Sequence, residues 1–217
     1  MNVVVLGASG GCGRQLVQLG AERGHRVTAV TRSTSKVDVP PGVTIDRGEL
    51  TSVEFLQGVL HGQDAVLSGL GLKLPGLAPW NKPEDATFLS RSTAALVEAC
   101  KAEGVRKVIA ISAGGVGDSL SKVPGVFRFM IKTTALKVAY AQLDDMEQQL
   151  LRSGLDVCLP RPTGLTDGPL TKQAVVAGSF KGRATISRAD VAWWMLDQLD
   201  APSFAERTPM ITVTGAS

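Results

Sequence analysis

Short runs of apolar and β-branched residues alternate with amphipathic segments along most of this chain. The runs cover residues 3–6, 26–31, 43–45, 65–68, 107–111 and 155–159. Helical spacing of apolar residues follows position 13 and recurs at about 51–60, 84–102 and 140–152. Alternating strands and helices of this size predict parallel βαβ units joined by right-handed crossovers. We therefore expect an α/β fold built on a parallel sheet.

The second half of the chain has a less regular pattern. Residues 126–139 are apolar with interspersed cations, which predicts a lid over a substrate, or alternatively a helix on a membrane surface. Residues 69–83 are rich in Gly and Pro, which predicts a loop. Residues 187–190 predict the cap of a further helix, and residues 209–214 predict a closing strand. A length of 217 residues predicts one domain, 1–217, with a small C-terminal portion on the substrate side.

A glycine-rich segment directly follows the first strand and precedes the first helix. Gly7, Gly10 and Gly13 have the spacing G-x-x-G-x-x-G. In such a segment the first glycine permits a tight turn, the second lets backbone approach a pyrophosphate, and the third lets the helix pack close to the strand. The helix N-terminus then offers unpaired N–H groups to the phosphates. In this context the segment predicts a dinucleotide site in a Rossmann-like doubly wound parallel sheet.

Two other motifs fit these glycines less well. Residues 7–11 match G-x-S-x-G, the nucleophile elbow of hydrolases, but the chain has only two histidines and no His-Gly-Gly run for an oxyanion hole. A phosphate-binding P-loop needs Gly-Lys-Ser/Thr after the glycines, and that sequence is absent. Cys12, at the expected helix N-terminus, is either a reactive thiol with a lowered pKa or simply a small residue beside the phosphates.

The end of the second strand indicates which dinucleotide is bound. In NAD sites an acidic residue about 20 positions past the glycines holds the ribose hydroxyls. Here the strand ends in Thr31, Arg32 and Ser33, and the first acidic residue after it is Asp38. A guanidinium pairs bidentately with a phosphate, so Arg32 with Ser33 predicts recognition of the 2′-phosphate of NADP(H).

Composition narrows the function further. A formal charge of +3 with only 5% aromatic residues does not favour nucleic-acid binding. The three cysteines lack C-x-x-C spacing, so we expect neither a metal site nor a disulfide framework. No apolar run approaches the length of a membrane span. We expect a cytoplasmic protein, a monomer or a small homo-oligomer, whose partner is a small molecule rather than a nucleic acid or a membrane.

Several motifs together resemble an atypical short-chain dehydrogenase/reductase of the NAD(P)H-binding type, similar to the flavin reductase/biliverdin-IXβ reductase group. The matching segments, which span nearly the whole chain, are residues 7–13, 31–32, 62–66, 111–113, 153–155, 161–162 and 168–171. The resemblance implies an NADPH-binding domain with Gly48, Glu49 and Leu50 near the adenine. It also implies that residues 69–71 pass under the nicotinamide half, that Ser112 lies beside the nicotinamide, and that residues 162–163 form another wall.

The expected cofactor-binding residues are Gly7, Ala8, Ser9, Gly10, Gly11, Cys12, Gly13, Arg32, Ser33, Gly48, Glu49, Leu50, Gly69, Leu70, Gly71, Ser112, Pro162 and Thr163. The expected catalytic residues are Ser112 and Tyr140. Trp80 and Phe127 are expected to border an acceptor if their loops fold inward.

Departures from better-known relatives bear on the chemistry. Tyr-x-x-x-Lys would lower the pKa of the tyrosine, but Asp144 follows Tyr140 at the lysine position, and a carboxylate there raises that pKa. The biliverdin-type reductase has a histidine where this chain has Thr163. We therefore predict an NADPH-dependent reductase of flavin-like, quinone-like or other conjugated acceptors, which take a proton from water. A sensor that binds NADP(H) without turnover, and an isomerase or dehydratase with bound cofactor, remain alternatives.

Overall fold

A six-stranded parallel sheet forms the centre of the computed structural model, which describes residues 1–180 and 184–213. The strands are β1 (Asn2–Leu6), β2 (Arg26–Thr31), β3 (Thr44–Arg47), β4 (Ala65–Ser68), β5 (Lys107–Ala110) and β6 (Asp156–Cys158). Their order is β3-β2-β1-β4-β5-β6, and every neighbouring pair is parallel. The order reverses at β1, so the expected α/β fold with a Rossmann-like doubly wound sheet is confirmed.

Helices cover both faces of this sheet. They are α1 (Gly11–Glu22), α2 (Val53–Leu60), α3 (Phe88–Glu103), α4 (Gly125–Thr133), α5 (Leu136–Arg152) and α6 (Arg188–Asp197), with short 3₁₀-helices at Gly117–Lys122 and Gln198–Asp200. On β1, Val3 and Val5 pack toward α1 and α6, whereas Val4 and Leu6 pack toward α2, α3 and α5. A strand buried on both faces is apolar at every position, which explains the continuous apolar run at its start.

Two helices begin at other positions than expected. α3 begins at Phe88 rather than near residue 84, because Asp85 accepts hydrogen bonds from the backbone N and the Oγ1 of Thr87, both at 2.8 Å, and so forms a turn before the helix. Residues 126–139 are not one segment. Thr134 has an extended backbone between α4 and α5, and its Oγ1 accepts from the N of Leu136 at 3.2 Å. The helix expected from residue 140 therefore starts at Leu136.

Small sheets lie beyond the carboxyl edge of β6. These sheets consist of the strands β7 (Arg161–Pro162), β8 (Gly164–Thr166), β9 (Ala174–Val176), β10 (Thr185–Ser187) and β11 (Met210–Val213). Their orders are β7-β11-β9 and β10-β8. The two prolines around Arg161 thus lead the chain into a new edge strand, a position that proline tolerates. The expected closing strand is β11. Thr214, the last residue predicted for this strand, lies outside the described residues. Residues 181–183 and 215–217, which belong to the predicted domain 1–217, also lie outside them.

Candidate functional site

A cleft of about 1100 Å³ opens at the carboxyl edge of β1 to β4. Ligands of doubly wound sheets bind at this edge, where the strand order reverses. Twelve of the predicted cofactor-binding residues line it: Gly7, Ser9, Gly10, Gly11, Arg32, Ser33, Gly48, Glu49, Leu50, Gly69, Leu70 and Gly71. The cleft also contains Arg14, Phe88 and Arg91, which the sequence analysis did not single out.

The glycine turn has the geometry of an anion cradle. Gly7 has a φ of +73°, and its carbonyl accepts from the N of Gly10 at 2.9 Å. A Cβ on Gly13 would lie 2.1 Å from the Gly7 oxygen, so only glycine lets α1 come this close to the turn. A Cβ on Gly10, which lines the cleft, would instead lie 3.2 Å from the Gly7 oxygen and 3.9 Å from the Gly69 oxygen. No side chain caps the N-terminus of α1, which leaves its amides available to a pyrophosphate.

Three predicted residues of the glycine segment lie behind the turn rather than in the cleft. Ala8, Cys12 and Gly13 are buried, and none of them lines it. Burial raises the pKa of Cys12 to about 11, and the charge of Arg188 offsets only part of that rise. The alternative of a reactive thiol with a lowered pKa is therefore wrong, because desolvation of the buried thiolate outweighs the charge of Arg188.

The segment that ends β2 contributes a cation to the rim of the cleft. Arg32 and Ser33 lie on this rim, and none of residues 31–35 is acidic. Arg47, which the sequence analysis missed, stabilises the same loop, since its Nη1 donates to Thr31 Oγ1 at 3.2 Å and to the Ser35 carbonyl at 2.7 Å. The β2–β3 register pairs Thr31 with Arg47. No spacing in the sequence reveals that pairing.

The remaining predicted residues form a group at the ends of β5 and β6, outside the cleft lining. The N of Ser112 donates to the Pro160 carbonyl at 2.8 Å, and the N of Gly114 donates to the Pro162 carbonyl at 2.9 Å. These bonds bring Ser112 and Pro162 onto neighbouring chain segments, and Thr163 follows directly. The N of Ile111 donates to the Ser68 carbonyl at 2.9 Å, so this group adjoins the loop that begins at Gly69.

The hydroxyl of Ser112 belongs to a buried ionic network. Its Oγ donates to Glu147 Oε1 at 2.5 Å. Arg161 binds the same carboxylate through Nε and Nη2 and also donates to Asp118 Oδ1 at 2.6 Å. Burial alone lowers the pKa of Arg161, but its hydrogen bonds to Glu147 and Asp118 outweigh that effect, so its pKa lies above the usual range. The hydrogen bond from Arg161 lowers the pKa of Asp118.

The phenol of Tyr140 is also bound within the protein. Its OH donates to the Gly114 carbonyl at 3.1 Å, and burial raises its pKa. The predicted direction of that shift is right, but the predicted cause is wrong, because desolvation and not Asp144 accounts for it. Phe127 packs edge-on against the Tyr140 ring, with 6.2 Å between centroids. Trp80 is 79% exposed, so its expected inward position is not observed.

Within residues 1–180 and 184–213, no helix is both long enough and apolar enough to cross a membrane.

Solved structures with the same fold include two reductase-type proteins. The anaerobillin reductase ChuY from Escherichia coli O157:H7 has a TM-score of 0.79 at 19% identity, covering 100% of this chain and 99% of that one. A wide-type short-chain dehydrogenase/reductase from Veillonella parvula, in complex with NADP, has a TM-score of 0.77 at 18% identity, covering 99% and 95%. At these identities the likeness establishes the fold.

The chain also matches a sequence relative and a family model. An uncharacterised chloroplastic protein of Arabidopsis thaliana is 27% identical over 184 residues, which are 80% of this chain, and the chain spans about 62% of the length of that relative. The family model described as NAD(P)H-binding matches residues 7–202. The match begins at the first glycine of the cradle and confirms the prediction of a nicotinamide dinucleotide cofactor. The chain belongs to the NAD(P)H-binding family.

Proposed function

We propose that this protein is an NADPH-dependent oxidoreductase that reduces a flavin-like, quinone-like or other conjugated acceptor. The observation that carries the proposal is that both candidate acids already donate their protons to protein oxygens: Ser112 to Glu147 and Tyr140 to the Gly114 carbonyl. Neither hydroxyl is left to protonate an alkoxide. A conjugated acceptor suits such a site, because it can take its proton from water after the hydride has been transferred.

The residues of the cleft support NADPH as the hydride donor. The dinucleotide would supply the hydride, and the protein would position its nicotinamide against the acceptor ring. The cradle at Gly7–Gly13 fits the pyrophosphate, and the Arg32 side of the cleft fits a 2′-phosphate. Ser112, with its proton directed to Glu147, keeps oxygen lone pairs with which to accept from the N–H of a nicotinamide carboxamide. In this proposal Ser112 orients the cofactor and does not transfer a proton.

The reductase names among the structural neighbours favour the same class of reaction. ChuY is an anaerobillin reductase, and a bilin is a conjugated acceptor of the kind proposed. An isomerase or dehydratase would need an acid and base pair, and Ser112 with Tyr140 would have to give up both observed hydrogen bonds to supply one.

The test is a screen for NADPH oxidation by the purified protein with FMN, riboflavin, menadione, dichlorophenolindophenol and biliverdin. We expect turnover with at least one of them, and no turnover in the Gly10→Val variant, whose side chain would fill the pyrophosphate position. If the protein binds NADPH tightly but oxidises it with none of these acceptors, the proposal is contradicted and a sensor of NADP(H) is favoured.

A further inference from the structure

Arg188 lies against the glycine turn although it is far from it in the sequence. It is the first residue of α6, which packs along α1. An ideal Cβ on Gly11 would be 2.6 Å from the Cδ of Arg188, 2.7 Å from its Nε and 3.7 Å from its guanidinium carbon. The Arg188 side chain therefore occupies the space that any larger residue at position 11 would take. Because Gly11 lines the cleft, this guanidinium is at the edge of the predicted phosphate site.

The partner of Arg188 is easily replaced. Its Nη1 donates to Asp167 Oδ1 at 2.8 Å, and the Asp167 side chain is 89% exposed whereas that of Arg188 is 29% exposed. An ion pair with so exposed a carboxylate contributes little to stability. The same loop has a firm anchor further along, where buried Asp190 accepts from the backbone N of Thr171 at 2.8 Å and of Lys172 at 2.7 Å. Loss of the Asp167 contact would thus leave the loop attached.

We infer that Arg188 is a further cofactor-binding residue, which exchanges Asp167 for an oxygen of the dinucleotide pyrophosphate. The inference rests on the cofactor site of the proposed function. The uncapped amides at the N-terminus of α1 would bind the pyrophosphate from one side. The Arg188 guanidinium beside Gly11 would add a full positive charge and several N–H donors from another side. The positive charge of Arg188 also acts on Cys12, the neighbour of Gly11, which places that charge close to the turn.

The two arginines at the cleft then have different effects on specificity. The pyrophosphate is common to NADPH and NADH, whereas the 2′-phosphate belongs to NADPH alone. Arg188 should therefore raise the affinity for both dinucleotides equally, while Arg32 should act on NADPH only. Neither arginine should compensate for the loss of the other, because the two are proposed to contact different phosphate groups.

Arg188→Gln is the variant of choice, because glutamine retains a carbon at the Cδ position over Gly11 and removes only the charged group. Arg23→Gln is its matched control. Arg23 lies at the opposite end of α1, where its Nη1 donates to Asp197 Oδ1 at the end of α6 at 2.7 Å and its guanidinium also contacts Trp193. Each variant loses one cation and one ion pair with an aspartate, but of these two arginines only Arg188 is beside the cleft.

Affinities are measured by calorimetry with NADPH, NADH and adenosine 2′-monophosphate, which has no pyrophosphate. We expect Arg188→Gln to weaken both dinucleotides by about ten-fold, the effect of one charge-assisted hydrogen bond, and to leave adenosine 2′-monophosphate within about two-fold. Asp167→Asn should tighten both dinucleotides by about two- to three-fold, because it removes a competing carboxylate of a weak exposed pair. Arg23→Gln should change none of the three.

Gly11→Ala supplies an independent test, since the added methyl group would push the Arg188 side chain away. If both changes act through the same contact, the double variant Gly11→Ala/Arg188→Gln should bind no more weakly than the weaker single variant. Equal dinucleotide affinities in Arg188→Gln and Arg23→Gln would overturn the inference, as would a loss confined to NADPH. If the parent binds NADPH but reduces no acceptor, the proposed activity fails and the role of Arg188 is still decided by these affinities.

Discussion

Arg161 and Glu147 are joined by two hydrogen bonds where both side chains are almost fully buried. Arg161 Nε donates to Glu147 Oε1 at 2.9 Å, Nη2 donates to Oε2 at 2.5 Å, and the side chains are 4% and 1% exposed. Arg161 begins β7 and Glu147 lies on α5, so the pair connects the sheet β7-β11-β9 to helix α5 beside Ser112. The pair therefore fixes the group of residues expected to face the nicotinamide.

Glu147→Gln should strongly destabilise the fold. The change removes the buried counter-charge of Arg161 and leaves only the exposed Asp118 beside it, and breaking a buried ion pair typically costs about 3 to 5 kcal/mol. Asp118→Asn is the control, since Asp118 contacts the same guanidinium but its side chain is 69% exposed, and it should cost no more than about 1 kcal/mol. Urea unfolding measures both free energies. Similar losses in the two variants would show that the buried contact has no special role.

Tyr140→Phe should leave the rate of acceptor reduction within about three-fold of the parent rate. Loss of a general acid would instead lower the rate about 100-fold or more. Ser112→Ala should lower stability by about 1 kcal/mol, because it removes the hydroxyl that donates to Glu147, and should weaken NADPH binding by a similar amount, because the same hydroxyl is proposed to orient the cofactor. Steady-state rates with a quinone and with FMN test the Tyr140 variant, and urea unfolding together with NADPH titration tests the Ser112 variant. A collapse of kcat in Tyr140→Phe with unchanged NADPH affinity would favour a carbonyl reductase with acid catalysis.

Arg32→Ala should weaken NADPH binding about ten-fold or more and barely change NADH binding. The reason is that a charge-assisted bond to the 2′-phosphate contributes roughly 1.5 to 3 kcal/mol, and NADH has no such phosphate. Arg26→Ala is a suitable control, since Arg26 is an exposed cation at the opposite end of β2. Calorimetric titration of both cofactors gives the comparison. Equal affinity of the parent protein for NADPH and NADH would defeat the prediction.

The sequence was sufficient for the parts of the fold that depend on local pattern. A short β-branched run such as Val3 to Leu6, followed by a glycine turn, is typical of a strand buried on both faces, and the spacing of the glycines at 7, 10 and 13 places them between strand and helix. The same reasoning indicated Arg32 at the end of β2. In each case one short segment carries the whole signal.

What the sequence did not reveal depends on contacts between distant segments. Glu147 and Arg161 each resemble ordinary surface charges, and only the packing of α5 against the chain beyond β6 makes them a buried pair. Arg188 reaches Gly11 because α6 packs along α1, and no spacing encodes that contact. The strands β8, β9 and β10 have three residues each, too few for an alternating pattern to be recognised.

Gly10 and Gly13 should respond differently to substitution although they belong to one motif. Gly13→Ala places a methyl group 2.1 Å from the Gly7 carbonyl oxygen, which is backbone and cannot yield without moving α1. We expect a loss of several kcal/mol in unfolding free energy, at the upper end of single-residue effects. Gly10→Val should retain the fold and lose binding of both dinucleotides, because a Cβ there has no backbone closer than 3.2 Å and Gly10 lines the cleft where a pyrophosphate would approach. Retained binding in a folded Gly10→Val protein would place the cofactor elsewhere.

The cysteines make stability sensitive to alkaline pH. Burial raises the pKa of Cys12 to about 11 from 9.0, and the pKa values of Cys100 and Cys158 to about 12. A pKa that is higher in the folded state contributes stability that is fully present below the unfolded value, near 9, and is lost as the pH rises toward the folded value.

Cys12→Ala isolates this effect for one thiol, because every other ionisable group is common to both proteins. The difference in unfolding free energy between the parent and Cys12→Ala should be constant below about pH 8, and by pH 10 it should shift by about 1 kcal/mol against the parent. Urea unfolding at a series of pH values, without cofactor, gives this difference. Iodoacetamide should also leave Cys12 unmodified in the folded protein at neutral pH, because the thiol is buried and protonated. A difference that does not change with pH, or rapid alkylation at neutral pH, would mean that the thiolate is stabilised by the helix N-terminus after all.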